Sequence, residues 1–500
     1  MKKKILSLAL ACLMIMTAIV TAIPVFADTF ATDAAAVEGG MVCRIGEEGT
    51  GTYYSDFKTA YSAVAVSGGT ITLIDDVSIT GKTSFKNSNS ADKKITITGG
   101  KEHTLSFENG GFVIDSANTE FIIENLTLKR YLSVYNPDAF MQCRYNSSMT
   151  FNNVDFVLET VSGVTVNNLT YLFRTQGTAS ATNTITLNNC SVTGNVVAKG
   201  DDGCNFVLFG AHNNYVGIQN MVLNNVKVDI KGDHVNAIGG FNYDHSKSAP
   251  QNAANIGTFT LKGNTTVSVD GDAVVRMGLY TINIEDTASL NTTANMFASG
   301  AKSACKYVNV NVTSTATTPF GTYTAPTLEA GASVRTTEGS NGLRFTANYT
   351  GNATEYGIIA AATADTLTSS TFTTALGSSK YVKAASTDDD FKLADDGSTY
   401  NIVLKGAVTT NSYSARAYAT YNIGNDVTVT VYSAYTEADN ARTMKYVATA
   451  ALDDVKTEAE LQEMDSAEAA KYTCKITDDG ATKYSRYSEA QREVLAAIAA

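Results

Sequence analysis

The chain is predicted to be mainly β: a solenoid of stacked coils, then an antiparallel β-sandwich, then C-terminal helices. Three observations predict this. Phe151-Asn152-Asn153-Val154, Leu187-Asn188-Asn189-Cys190 and Leu223-Asn224-Asn225-Val226 recur 36 residues apart, and self-similarity at such a period marks a repeat architecture. Thr, Asn, Gly and Tyr are abundant, with 5 Pro and no Trp among 500 residues; Thr and Tyr favour strands, Asn and Gly the turns between them. After about residue 318 the repeat stops and short β runs with Gly-rich turns take over.

The N-terminus reads as a secretory signal over residues 1–27. Lys2, Lys3 and Lys4 precede the apolar run Ile5–Val20, and Val25-Phe26-Ala27 supplies a small-residue cleavage site. No second apolar run reaches the ~18 residues of a membrane span, so the mature chain is expected to be secreted or extracellular, free or associated with a cell surface. Removing the signal removes three of 37 basic residues and no acidic ones, leaving 34 against 49 and a formal charge of -15. Such a chain is a poor partner for nucleic acid. The six mature cysteines, Cys43, Cys143, Cys190, Cys204, Cys305 and Cys474, show no CxxC spacing. Metal or thioredoxin-like chemistry is therefore not expected; buried free thiols are favoured over disulfides, which an exported chain could form but whose pairing the spacing does not specify.

Residues 28–49, small and polar, are expected to form a flexible leader. A solenoid is expected over 50–318. At its start Phe57, Tyr61 and Val64 fall on one face of a helix that Gly68-Gly69 ends. The alternating run GGTITLIDDVSIT follows. Strands then recur in two registers. One contains the Asn-Asn copies; the other lies at 139–144, 171–176, 206–212, 236–241, 274–278 and 295–300. The Asn pairs are expected at bends, because Asn tolerates the left-handed region and can hydrogen-bond along a stack. Asn153, Asn189 and Asn225 are therefore expected to form a structural ladder.

An amphipathic helix followed by Gly-Gly-Thr-Ile-Thr-Leu resembles the start of pectin-lyase-like right-handed parallel β-helices. That resemblance implies two enzyme templates. A polysaccharide lyase holds calcium against a uronate with acidic residues and takes a proton with Arg or Lys. A polygalacturonase-type hydrolase uses clustered Asp residues. Of the hydrolase motifs only an Asp-Asp pair, Asp201-Asp202, is present, in a Gly-flanked turn. For the lyase, alternation along the second register matters. With Met141, Phe173, Phe209, Ile238 and Phe297 inward, an outward stripe would hold Gln142, Arg144, Arg174, Gln176, His212 and Arg276. Such a stripe could contact an acidic polysaccharide or cell-surface glycan. No calcium-ligand cluster stands out beside it, and the four histidines have no metal spacing. No cofactor is expected, calcium aside if the chain is a lyase.

Residues 319–330 read as a linker, 331–435 as an antiparallel β-sandwich and 436–500 as a C-terminal helical segment, with Ser488 as N-cap of its last helix. Gly331-Ala332-Ser333-Val334-Arg335, Gly342-Leu343-Arg344-Phe345, Tyr356-Gly357-Ile358-Ile359 and Ala415-Arg416-Ala417-Tyr418 resemble a C-terminal module of exported proteins from clostridia-like bacteria. The resemblance implies location and no catalytic role. Arg335, Arg344 and Arg416 sit inside strand patterns, where packing roles are expected. With no HExxH, GxSxG or Cys/His set in the sequence, the expected function is a non-catalytic, glycan-contacting or adhesin-like scaffold. The alternative is a polysaccharide lyase or hydrolase.

Overall fold

The computed structural model describes residues 30–87, 92–133, 139–167, 170–176, 181–198, 206–211, 218–232, 235–240, 257–270, 273–275, 280–292, 295–297, 309–313, 323–337, 339–363, 367, 372–374, 381–422 and 428–500. The chain is mainly β. A curled parallel sheet in the manner of a parallel β-helix is followed by antiparallel sheets and C-terminal helices. Cα proximity divides it into two units. The first runs to Tyr280 and takes in Ser289–Tyr307; the second comprises Thr281–Ala288 and Val308–Ala500.

In the first unit the described strands fall in three stacked columns. One column stacks Gly69–Leu73, Lys94–Thr98, Thr182–Asn188, Ile218–Asn224 and Gly257–Lys262. A second stacks Ser191–Asn195, Lys227–Lys231, Thr266–Asp270 and Ser289–Thr292. Glu120–Leu132 and Ser148–Thr160 run through both columns as single strands. The third column is Ala139–Arg144, Thr170–Gln176, Phe206–Ala211, Val235–Gly240, Ala273–Val275 and Asn295–Phe297.

The bend between the first two columns falls on Asn. Asn153, Asn189 and Asn225 have φ of 57°, 53° and 54°, and Asn125 in the preceding coil has 53°. Asn153 Nδ2 donates to Asn125 Oδ1 at 2.8 Å, and Asn225 Nδ2 to Asn189 Oδ1 at 3.3 Å. The neighbouring Asn152, Asn188 and Asn224 form their own row, at 3.0 and 3.3 Å. In the next coil Gly263 takes over at φ 62°; a Cβ there would lie 2.3 Å from Asn225 Oδ1. A second corner uses Asp92, Asn118 and Asn146, all at positive φ, with amide bonds of 2.9 and 2.7 Å between successive coils.

Inside the coils one apolar row passes through Phe85, Phe112, Met141, Phe173, Phe209 and Ile238 in strict register. Phe173 and Phe209 stack with centroids 5.3 Å apart, a favourable offset geometry. The open end of this core is closed by the helix Phe57–Ser67, whose N-cap Asp56 accepts from the Lys58 and Thr59 amides. Its Phe57 and Tyr61 rings pack on Phe85 at 5.3 and 4.9 Å.

The leader is folded from Ala31 onward, contrary to expectation for this part of residues 28–49. Thr32 caps a helix, Asp33–Glu38, and Cys43–Ile45 pairs antiparallel with both Thr52–Tyr54 and Gly69–Leu73. The reason is a small apolar cluster of Ala36, Tyr53 and Ile74 with Phe30, Val37 and Met41. Arg44 and the Tyr53 hydroxyl both donate to Asp33, at 2.8 and 2.9 Å. The antiparallel strand thereby covers the first parallel strand's edge, which would otherwise invite pairing with another chain.

In the second unit Gly342–Asn348 pairs with Thr327–Leu328, Ser333–Arg335 and Thr399–Lys405. Glu355–Ala362 pairs with Val382–Ala385 and Ser412–Asn422. The two antiparallel sheets meet through Tyr356 and Tyr400, centroids 5.4 Å apart. Asn309–Thr313, which the repeat assigns to the solenoid, pairs in parallel with Thr428–Tyr432. Asn309–Thr313 also pairs in parallel with Tyr280–Ile284. Residues 436–500 are not purely helical: Val455–Lys456, Cys474–Asp478 and Ala481–Ser485 form a three-stranded sheet beside the helices Met444–Asp453 and Glu489–Ala499. Ser488 caps the last helix in a capping box with Gln491.

Replacing Asn153 by Ala should cost about 2 kcal/mol in denaturant unfolding, the sum of a left-handed residue with a Cβ and a lost ladder bond. Asn153→Gly keeps the backbone freedom and loses only the bond, so its midpoint should fall between wild type and Asn153→Ala.

Candidate functional site

Two members of the stripe expected on the third column do not face solvent. Gln142 and Arg174 pair in register, but they are only 5 % and 2 % exposed. Gln142 Nε2 donates to Gln176 Oε1 at 2.7 Å, and Arg174 Nη2 to the same oxygen at 3.2 Å. With the Gln142 amide turned over, its oxygen would instead accept from Arg144 Nε and Nη2, both at 3.0 Å. Arg144 is ion-paired to Asp115 at 3.0 Å, and the Arg174 guanidinium lies 5.6 Å from the Tyr171 ring centre. The structure thus brings Gln142, Arg144, Arg174 and Gln176 together, but as a hydrogen-bonded network with Gln142 and Arg174 buried and Arg144 and Gln176 partly exposed. His212 and Arg276 lie outside the described residues, as do Asp201 and Asp202.

The inward row that alternation predicted, Met141, Phe173, Phe209 and Ile238, is present, but its neighbours Gln142 and Arg174 are buried as well. Phe140 packs on Phe107 at 5.4 Å, while Phe173, partner of the adjacent Met141, packs on Phe151 at 5.5 Å. The consecutive residues Phe140 and Met141 are therefore both buried. Gly111 allows this: at φ 156° an added Cβ would lie 1.9 Å from the Phe140 carbonyl oxygen.

Sequence reading missed Arg130. It follows Leu126 and Leu128 on the inward row and pairs with Phe107 and Leu158, so its guanidinium is inside the coil, 1 % exposed and 5.2 Å from the Phe140 ring centre. Burial pulls its pKa down to about 9. Period two alone could have found it, since Leu132 continues the row.

In the second unit Arg416 is fully buried. Its Nε donates to the Ser433 carbonyl at 3.0 Å, its Nη1 to the Phe372 carbonyl at 2.9 Å, and it lies 4.6 Å from the Tyr432 ring centre. Burial lowers its pKa to about 10. Arg416 is thus a tie between strands and a neighbouring segment, as its strand position suggested. Arg335 has a different setting. It borders a cleft of about 910 Å³ that also takes in Tyr381, Lys383, Lys392, Lys405 and Tyr413. Lys383 is held by Glu355 at 3.1 Å. Arg335, Lys392 and Lys405 make no ion pair among the described residues. Two carboxylates, Asp388 and Asp390, border the same space, and Asp388 accepts from the Ala385 amide at 2.7 Å.

Among the described residues no three His, Cys, Asp or Glu side chains are grouped to hold a metal, and no helix is long and apolar enough to cross a membrane. Cys43, Cys143, Cys190 and Cys474 are free thiols; burial raises the pKa of Cys43 to about 12 and of Cys190 to about 11. No protein family, curated protein or solved structure matches the chain.

Two outcomes follow. Arg174→Ala should lower stability by about 3 kcal/mol, the cost of opening a buried charged network, read as a shifted denaturation midpoint. Glu355 supplies a pH dependence. Partial burial opposes its ionisation, but bonds from the Tyr418 hydroxyl at 2.6 Å, Lys383 and Thr387 outweigh this and lower its pKa. Its stabilisation is therefore complete above the carboxyl's unfolded value and lost as pH falls through the folded one. Glu355→Gln should remove that acid limb from a plot of Tm against pH.

Proposed function

We propose that the protein is a non-catalytic exported scaffold of the adhesin-like kind, with the stacked coils as its rigid support and binding surfaces for extracellular ligands outside the coil interior. The observation that carries this reading is the burial of Arg174 and Gln142. Of the cations assigned to the third column, Arg174 is bound up in packing and hydrogen bonds, and Arg144 is neutralised by Asp115. A proton-abstracting Arg must reach its substrate, and a side chain 2 % exposed does not. The apolar run and basic residues of 1–27 support export, and the curled parallel sheet supports a place among pectin-lyase-like coils, a fold that serves many functions. The acidic balance of the chain favours partners other than nucleic acid.

The test is incubation of the mature protein with a panel of uronate-containing polysaccharides, with and without calcium. No unsaturated-uronate absorbance and no new reducing ends are expected. Turnover of any member of the panel would overturn the non-catalytic reading.

A further inference from the structure

We infer that the cleft of the second unit receives an extended peptide with alternating apolar and acidic side chains, added as a strand to the free edge of Thr399–Lys405. The inference deepens the reading of the protein as a binding scaffold and rests on it. Four observations lead to it.

The first is the edge. Thr399–Lys405 pairs with Gly342–Asn348 on one side only. The Tyr349 amide donates to Ser398 on that side, at 3.0 Å; the Ala394 amide donates to the Thr399 carbonyl at 2.7 Å, from the other. Backbone groups alternate sides along an antiparallel strand. Asn401, Val403 and Lys405 therefore direct their N–H and C=O groups away from Gly342–Asn348. Leu393 bridges to Tyr400, and beyond it no described strand pairs with this edge. Asn401 to Lys405 spans roughly 17 Å, the length of a short peptide strand.

The second is the space beside that edge. The cleft is bordered by successive residues of Thr399–Lys405, from Asn401 onward, and of Val382–Ala385. Consecutive residues bordering one space mean that the backbone edge, rather than one side-chain face, forms the wall. Thr399–Lys405 is tied to Glu355–Ala362 where the Tyr400 hydroxyl donates to the Gly357 carbonyl, at 3.4 Å, and its residues that border the cleft begin after Tyr400.

The third is charge. Arg335 and Lys405 both pair with Gly342, from opposite sides, and directly paired residues share a face. Two cations thus flank a position without a side chain, about 10 Å apart at their Cα atoms. An acidic side chain of a strand beside Lys405 would meet this pair.

The fourth separates a peptide from a simple anion. Lysine on a strand edge commonly guards against aggregation. Here Val382 is 52 % exposed and borders the cleft, while Leu393 at 40 % and Val408 at 54 % adjoin its bordering residues Lys392 and Ala407. Exposed apolar side chains beside an open edge are the wrong protection and a suitable seat for the alternate side chains of an added strand.

The test is fluorescence anisotropy of the mature protein with a labelled hexapeptide of alternating valine and glutamate. Three further probes are the same peptide with lysine for glutamate, the same peptide N-methylated at alternate amides, and oligogalacturonate as competitor. Saturable binding of the first peptide only, weakened about tenfold by Lys405→Glu combined with Arg335→Glu, is expected. Circular dichroism of that variant should match wild type. The N-methylated peptide probes the edge without altering the protein, so a poorly folded variant would not mask the result. Absence of binding, equal binding of the lysine or N-methylated peptide, or no effect of the charge reversal in a folded variant would each overturn the inference. Oligogalacturonate binding without peptide binding would overturn it too, yet leave the scaffold reading standing. Turnover of oligogalacturonate would overturn that reading instead.

Discussion

The structure depends on one local constraint: the chain must turn into the left-handed region at the same point of successive coils. An L-residue pays roughly 1–2 kcal/mol for that conformation unless it is Gly or, at lower cost, Asn or Asp. Asn125, Asn153, Asn189 and Asn225 meet the requirement and add amide bonds between coils. Gly263 meets it without a side chain, just where an added Cβ would collide with Asn225. With the turn fixed, parallel register follows on both sides of it, and register brings Phe112, Met141, Phe173 and Phe209 into one row. A slip of one residue would send that row to the other face, so the corner and the aromatic core specify the same alignment.

This dependence explains what could be read in advance. The Asn-Asn copies at a spacing of 36 residues placed three members of the corner, and the face formed by Phe57, Tyr61 and Val64 placed the end-closing helix. Asn125 escaped because its coil is shorter: it bonds to Asn153 across 28 residues, off the period. Arg130 escaped because a charged residue on an inward row contradicts the usual pattern of burial. The stripe through Gln142 and Arg174 was read from alternation, which placed the inward row rightly but does not report that the residues between its members are buried too. The pairing of Asn309–Thr313 with Thr428–Tyr432 joins residues more than a hundred positions apart, and no periodic signal reaches that far.

Four arginines show how environment, rather than residue type, decides a cation's role. Arg130 sits among Phe107, Phe140 and Leu158, and its low pKa is the signature of lost solvation. Arg416 donates to two carbonyls from complete burial. Arg174 shares an amide oxygen with Gln142. Each is held in place by groups a ligand would have to displace. Arg335 has one side-chain bond, to Thr337 at 3.4 Å, and remains only partly covered. Spacing and strand pattern did not separate these cases. Pairing partners and burial do.

Two strand edges of the molecule are also treated differently. At the start of the coils the free edge of Gly69–Leu73 is covered by Cys43–Ile45, and the core is closed by rings from Phe57–Ser67. That is how a chain blunts a surface not meant to pair. Along Thr399–Lys405 the covering stops at the Leu393 bridge, and the next residues border a cleft fringed by exposed valines. Were this edge protected only against self-association, charge alone would suffice, and Val382 and Val408 would weaken the protection. Their presence beside Lys405 and Arg335 is consistent with an edge selective for a complementary strand: charge repels basic segments, and apolar residues reward a strand able to cover them. Specificity of this kind needs both the attractive and the repulsive element, and both are found on this edge.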